Sequence, residues 1–236
     1  MIDKSFLEKI EQLSGQQITV FQDRLYSNKN LIMLTPPQAT SFNVSSLSAV
    51  VDFCGDEMEP GQHVLHVSGC AEVCLYGAIN DDFRRRELFV KSTAIAGEFS
   101  FGRFYKVDDF IINLQAQFVQ DETTAAILKL VGNMTRVTEV GTKDDGMTQR
   151  VEAKAGLAKV ENVSVPNPVR LAPYRTFIEV PQPYSNFVLR LNADHQCALF
   201  EADGGAWRIE AMKNIKAFLD NGLKSIGKRD QITILC

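Results

Sequence analysis

The sequence predicts an α+β fold, mostly antiparallel sheet with a few helices packed on one side. Two observations carry this. Three β-rich runs, His63–Ser68, Ala71–Ile79 and Glu87–Ala96, follow one another with only Ser68-Gly69 and Asn80-Asp81-Asp82 between them, the pattern of an antiparallel meander. Helical period then occurs in separate blocks, and strands do not alternate regularly with helices, which disfavours a doubly wound parallel sheet. The whole chain, 1–236, reads as a single α+β domain, divisible into an N-terminal subdomain over residues 1–99 and a C-terminal subdomain over residues 100–236.

In chain order, Ile2, Phe6, Ile10 and Leu13 form one apolar stripe, so residues 2–13 are expected to be helical, ending at Ser14-Gly15. Gln17–Phe21 and Asn30–Leu34 read as short strands around turn chemistry at Ser27–Asn30, and Pro36-Pro37 stops the second. Ser45 or Ser46 is placed to cap a short helix through Cys54, with Gly55 as its stop. After the meander, Val107, Phe110, Ile111, Leu114 and Phe118 fall on one helical face, with Asp108 and Asp109 at the positive end of the dipole. A second helix is expected over Glu122–Val131, closed by Gly132-Asn133.

Met134–Val140 and Thr148–Ala155 flank Lys143-Asp144-Asp145-Gly146, a hairpin signal, because Asp-Gly suits a type I′ turn. This hairpin is polar, so it either projects or forms a charge-protected edge. Val160–Val165 reads as a strand ending in Pro166-Asn167-Pro168. Strands are then expected at Tyr174–Val180, Asn186–Leu191 and Cys197–Ala202, followed by a helix over Ala206–Leu223 and a terminal strand Gln231–Cys236. So apolar an ending suggests a strand tied into a sheet, or an interface.

Composition narrows function. Apolar residues make up 45 % and charged residues 23 %, enough for a real core. The net charge of −4 disfavours duplex DNA binding, which needs clustered cations. Arg84-Arg85-Arg86 beside Asp81-Asp82 reads as a solvated turn. Neither a secretory h-region nor an apolar run of membrane-span length is present, so a cytoplasmic protein with five reduced cysteines is expected.

Candidate chemistry is sparse. His63, His66, Cys70 and Cys74 are zinc-type ligands, but His63 and His66 point to opposite strand faces, so no metal site is expected. His195 and Cys197 can share a face, yet Asn192–His195 reads as a turn and Cys197 as core. Glu201 and Asp203 share one side of a strand end and suit acid–base work, with Glu179 and Glu210 as further members if the fold brings them close. Asp203-Gly204-Gly205-Ala206 places two glycines at a helix start, where free N–H groups favour an anion; Asp203, as N-cap, competes for those groups. Arg175, Arg190 and Arg208 supply nearby charge. Trp207 either anchors the helix or stacks on a ligand. No cofactor motif is present.

The FIINLQAQFV helix at Phe110–Val119, the Asp144-Asp145-Gly146 hairpin, Pro166-Asn167-Pro168 and the block running from PYRTFIEVPQP through FVLRL to FEADGGAW resemble a group of uncharacterised bacteriophage and prophage proteins, and more distantly the YfdQ-like phage family. The likeness covers roughly residues 100–220. It implies a phage-encoded protein acting in the host cell cytoplasm, and it assigns no catalytic residue. The expectation is a non-enzymatic, homo-oligomeric binding protein that inhibits host antiviral defence by taking a nucleotide-like signal or a host protein. The alternatives are a nucleic-acid-binding accessory in recombination or replication, and a carboxylate-dependent hydrolase.

Overall fold

Apolar periodicity sets both layers of the fold. The computed structural model describes residues 3–15, 18–21, 24–27, 38–56, 61–80, 85–134, 139–144, 149–154, 167–192 and 194–236. The chain divides into two units, Met1–Gln38 and Ala39–Cys236.

The first unit holds helix α1 (Lys4–Ser14) and an antiparallel hairpin of β1 (Ile18–Phe21) and β2 (Arg24–Ser27). Ser27, expected in a turn, ends β2 opposite Ile18. The strand expected over Asn30–Leu34 lies outside the described residues. Of the expected stripe, Phe6, Ile10 and Leu13 lie on α1 and are exposed at 57, 46 and 71 %, and Ile2 lies outside the described residues.

The second unit contains two sheet-and-helix layers. In one, β3 (Phe42–Val44), β4 (His63–Gly69), β5 (Glu72–Asn80), β6 (Arg85–Thr93) and β13 (Ile232–Leu235) form a five-stranded sheet in the order β13-β4-β5-β6-β3. The central meander is antiparallel, and the two outer strands join it in parallel. The terminal strand is thus tied in as expected, and residues on both sides of position 99 share this sheet. β6 does not alternate cleanly because its pairing with β5 shifts on either side of Tyr76, as bulges do.

Helices α2 (Leu47–Asp56) and α5 (Trp207–Ser225) bury Leu47, Val50, Ile215, Leu219 and Leu223 against Leu65, Val67, Val73, Leu75 and Val90 of this sheet. They approach closely at Gly222, where a Cβ would come within 2.8 Å of a Val51 methyl. Ser46 is the N-cap of α2, its Oγ accepting the Ala49 N–H at 3.3 Å. Gly55 lies inside that helix rather than beyond it.

The other layer is a four-stranded antiparallel sheet, β10-β11-β12-β7, formed by β7 (Tyr105–Lys106), β10 (Val169–Leu171), β11 (Ser185–Leu191) and β12 (Gln196–Glu201). Helices α3 (Val107–Gln117) and α4 (Glu122–Met134) bury Phe110, Leu114, Ile127 and Val131 against Leu171, Phe187, Leu189 and Leu199. α4 passes through Gly132 instead of stopping there. Asp121 caps it, Oδ1 accepting the Thr124 N–H at 2.8 Å.

β8 (Glu139–Asp144) and β9 (Gln149–Lys154) form the polar hairpin as a separate two-stranded sheet. Asp144 pairs with Gln149, so it belongs to the strand and not to a two-residue turn. The strand expected at Val160–Val165 lies outside the described residues.

One expected strand is absent. Tyr174–Val180 is irregular: the Tyr174 N–H donates to the Gln117 carbonyl, the Tyr174 carbonyl accepts the Gly97 N–H, and the Gln182 side chain, not a neighbouring strand, takes further backbone groups. The Gln182 side chain accepts the Arg175 N–H at 3.1 Å and donates to the Phe177 and Val180 carbonyls at 2.9 and 3.2 Å.

Candidate functional site

The β12–α5 junction combines strand register with glycine geometry. Pairing of β11 with β12 sets Phe187 opposite Glu201, so ring and carboxylate rise from one face. The chain then turns through Gly204 (φ 62°) and Gly205 (φ 81°), left-handed positions natural to glycine. Asp203 is not the N-cap of α5. Its carboxylate accepts the Gly205 N–H at 3.0 Å, and its carbonyl accepts the Ala206 N–H at 3.2 Å. The Arg208 and Ile209 N–H groups bond to the Gly205 and Ala206 carbonyls. Donors expected to face an anion are thus used within the turn.

Arg175 closes this junction. Its guanidinium lies 3.8 Å from the Trp207 ring centroid and 5.6 and 5.7 Å from those of Phe187 and Phe101. Nη1 bonds Glu201 at 2.6 Å, and Nη2 donates to the Ser185 hydroxyl. Burial holds the guanidinium below its ordinary value, against the opposing pull of Glu201 and Asp203. Phe101 and Phe187 belong to the four-stranded layer and Trp207 begins a helix of the five-stranded layer, so the cluster braces one layer to the other. Two buried donors, Arg175 Nε and Trp207 Nε1, have no hydrogen-bond partner. Such a donor costs about 1–3 kcal/mol, and a desolvated cation–π stack returns about 2 kcal/mol.

Trp207 therefore anchors, with both ring neighbours supplied by the chain itself. Arg208 is 5.2 Å from its centroid and folds back so far that a Cβ at Gly205 would clash with Nη1. Arg190 is not at the junction. It lies opposite Ala198, and its odd spacing from Ser185 puts it on the other sheet face. Nor do further carboxylates join Glu201 and Asp203. Glu179 bonds the Leu47 and Ser48 N–H groups at the start of α2, and Glu210 pairs with Lys213 at 3.7 Å.

Burial alone would push the Asp203 carboxyl up. The Ser185 hydroxyl, the Gly205 N–H and the Arg175 charge outweigh it and hold the carboxyl below its ordinary value. A depressed carboxyl stabilises the fold above its unfolded value, near pH 3.9, and loses that contribution as pH falls through the folded one. Urea midpoints are therefore expected to drop below about pH 4, and Asp203→Asn to remove part of that drop; a variant with wild-type pH dependence contradicts this assignment.

The Cys–His pair is not a nucleophile and base. Burial pushes the Cys197 thiol up to about 12, and His195 sits in the turn with φ 58°. His63 is buried on the helix-covered face of its sheet, whereas His66 is on the opposite face. Among the described residues no three His, Cys, Asp or Glu side chains are grouped to hold a metal.

The opposite face of the five-stranded sheet offers a different arrangement. Leu235, His66, Cys74 and Lys91 line up across four strands, with Val64 opposite Tyr76 beside them. Val64, His66, Tyr76, Arg86 and Leu235 line a groove of about 330 Å³. The Arg86 Nη1 donates to the Gly77 carbonyl at 2.9 Å, which fixes one end of its guanidinium at the groove. Burial pushes the Tyr76 phenol up, with Cys74 beside it adding to the effect, so it is neutral at pH 7. Glu72 is bound to Lys91 at 2.6 Å and to the Ser68 hydroxyl at 2.8 Å. Sequence reasoning misses this set. Its signal, alternate polar positions in two meander strands, is present, but Leu235 arrives only through a parallel pairing between distant segments.

No family model, curated protein or solved structure matches the chain.

Proposed function

We propose that the chain is a non-enzymatic binding protein that holds a small nucleotide-like ligand, and that in an infected bacterium it blunts host defence by withholding that ligand. The observation that carries this reading is the groove on the open sheet face, with apolar walls and a few convergent polar groups, as ligand sites have. The β12–α5 junction is less suited, since its arginines and Trp207 are committed to one another. A hydrolase working through Glu201 and Asp203 is disfavoured because both carboxylates are held within the same cluster.

Isothermal titration of the full chain against cyclic nucleotides, ADP-ribose and nucleoside phosphates tests the proposal. Saturable binding without ligand turnover is expected. Silence across the panel, or conversion of a bound nucleotide, contradicts it.

A specific observation favours a second reading, capture of a protein partner or self-association. The α1 stripe exposes Phe6, Leu7, Ile10 and Leu13 together, and an isolated helix of this length is marginal in water unless that face is covered. Native mass spectrometry of the purified protein, with and without residues 1–15, separates this reading from the first.

A further inference from the structure

We infer that the groove takes a single nucleotide unit carrying one phosphate, its base against the Tyr76 ring and its phosphate at Arg86. This rests on the groove being the ligand site and names the chemistry that the site selects. Charge gives the first argument. Among the described residues the lining side chains include Arg86 and His66 and no carboxylate. Glu72, on the same sheet face, is ion-paired with Lys91 and accepts a hydrogen bond from the Ser68 hydroxyl. On a chain of net charge −4, this leaves a small local preference for an anion.

The second argument is shape. Tyr76 stands opposite Val64 on β4 and Leu88 on β6, and His66 lies diagonally across the β4–β5 pair, within reach of the same ligand. A neutral aromatic ring between aliphatic neighbours suits the face of a base. Arg86 is anchored through one nitrogen by Gly77, so its fork enters the complex already oriented and can meet phosphate oxygens in two-point fashion. The third argument is size. About 330 Å³ is at the small end for ligand sites and suits one nucleotide unit better than a strand.

The test uses the full chain, titrated calorimetrically with AMP, ATP, adenosine, inorganic phosphate and a ten-residue oligothymidylate. Tyr76→Ala, Tyr76→Phe, Arg86→Ala and His66→Ala are compared with wild type, and circular dichroism verifies each fold. AMP is expected to bind more tightly than adenosine, phosphate, ATP or the oligonucleotide. Tyr76→Ala is expected to weaken it about 5- to 150-fold, the range of one lost base–aromatic stack, while Tyr76→Phe retains it. Arg86→Ala is expected to weaken AMP about tenfold or more and to leave adenosine unchanged, as removal of a charge-assisted phosphate contact should.

AMP affinity unmoved by Tyr76→Ala and Arg86→Ala overturns the inference. So does an oligonucleotide that binds more tightly than AMP and depends on the same residues, which makes the face a strand-binding platform. If a ligand that is not a nucleotide binds with Tyr76 dependence, the one-nucleotide assignment fails and the groove reading survives. If no ligand of either panel binds, both fail.

Discussion

Arg175→Ala is expected to lower the unfolding free energy by about 3 kcal/mol, read as a shift in the urea midpoint at unchanged slope. The substitution removes the cation between Trp207, Phe101 and Phe187, frees the partly exposed Glu201, and leaves a cavity where the two layers meet. Arg175→Lys is expected to recover only a fraction of the loss. An ammonium cannot both stack on the Trp207 ring and reach Glu201 and Ser185 as a planar fork does. A loss below about 1 kcal/mol would mean that the cluster is a surface contact and not a brace.

Phe187→Ala is expected to cost about 3–5 kcal/mol, the range for removing a fully buried Phe. Its ring stacks on Phe101 at 5.0 Å with an interplanar angle of 16°, and it also flanks the Arg175 guanidinium. The two substitutions should therefore not add. In a double-mutant cycle with Arg175→Ala, a coupling of about 0.5–3 kcal/mol is expected, since each removal disturbs the same packed group. Simple additivity would separate Phe187 from the brace.

Local patterns are legible in the sequence. The stripe Val107, Phe110, Ile111, Leu114 and Phe118 is a short-range signal; Val107, Phe110 and Leu114 form the buried face of α3, Ile111 is partly buried, and Phe118 is buried just beyond the helix in extended backbone. The meander, the strand-to-helix turn at Gly204-Gly205 and the terminal strand are legible for the same reason. What sequence does not carry is the choice of distant partner. Tyr174–Val180 has strand composition, but the Gln182 amide takes backbone groups that a ladder would use. Glu179, a candidate for acid–base chemistry, is bonded to the start of α2 from 131 residues away. The parallel pairings of β3 with β6 and β13 with β4 join segments that no turn signal links.

The candidate site follows the same division. Asp203, Gly204, Gly205, Trp207, Arg175 and Arg208 do come together, as their shared block suggests. Proximity nevertheless does not make a ligand site, because the Arg175 cation is taken up by the rings and Glu201 of that set, even though Arg175 Nε and Trp207 Nε1 have no hydrogen-bond partner. Arg190 shares the block but falls on the other face of its strand. The groove draws on β13, β4, β5 and β6, so only the assembled sheet brings its lining residues together.

Hydrogen–deuterium exchange with and without saturating AMP locates the site. Added protection is expected in His63–Gly69, Glu72–Asn80, Arg85–Thr93 and Ile232–Leu235, the strands that line the groove, with residues 201–209 unchanged. Protection confined to residues 201–209, with the five-stranded sheet unaffected, would refute the groove assignment and return the ligand to the β12–α5 junction.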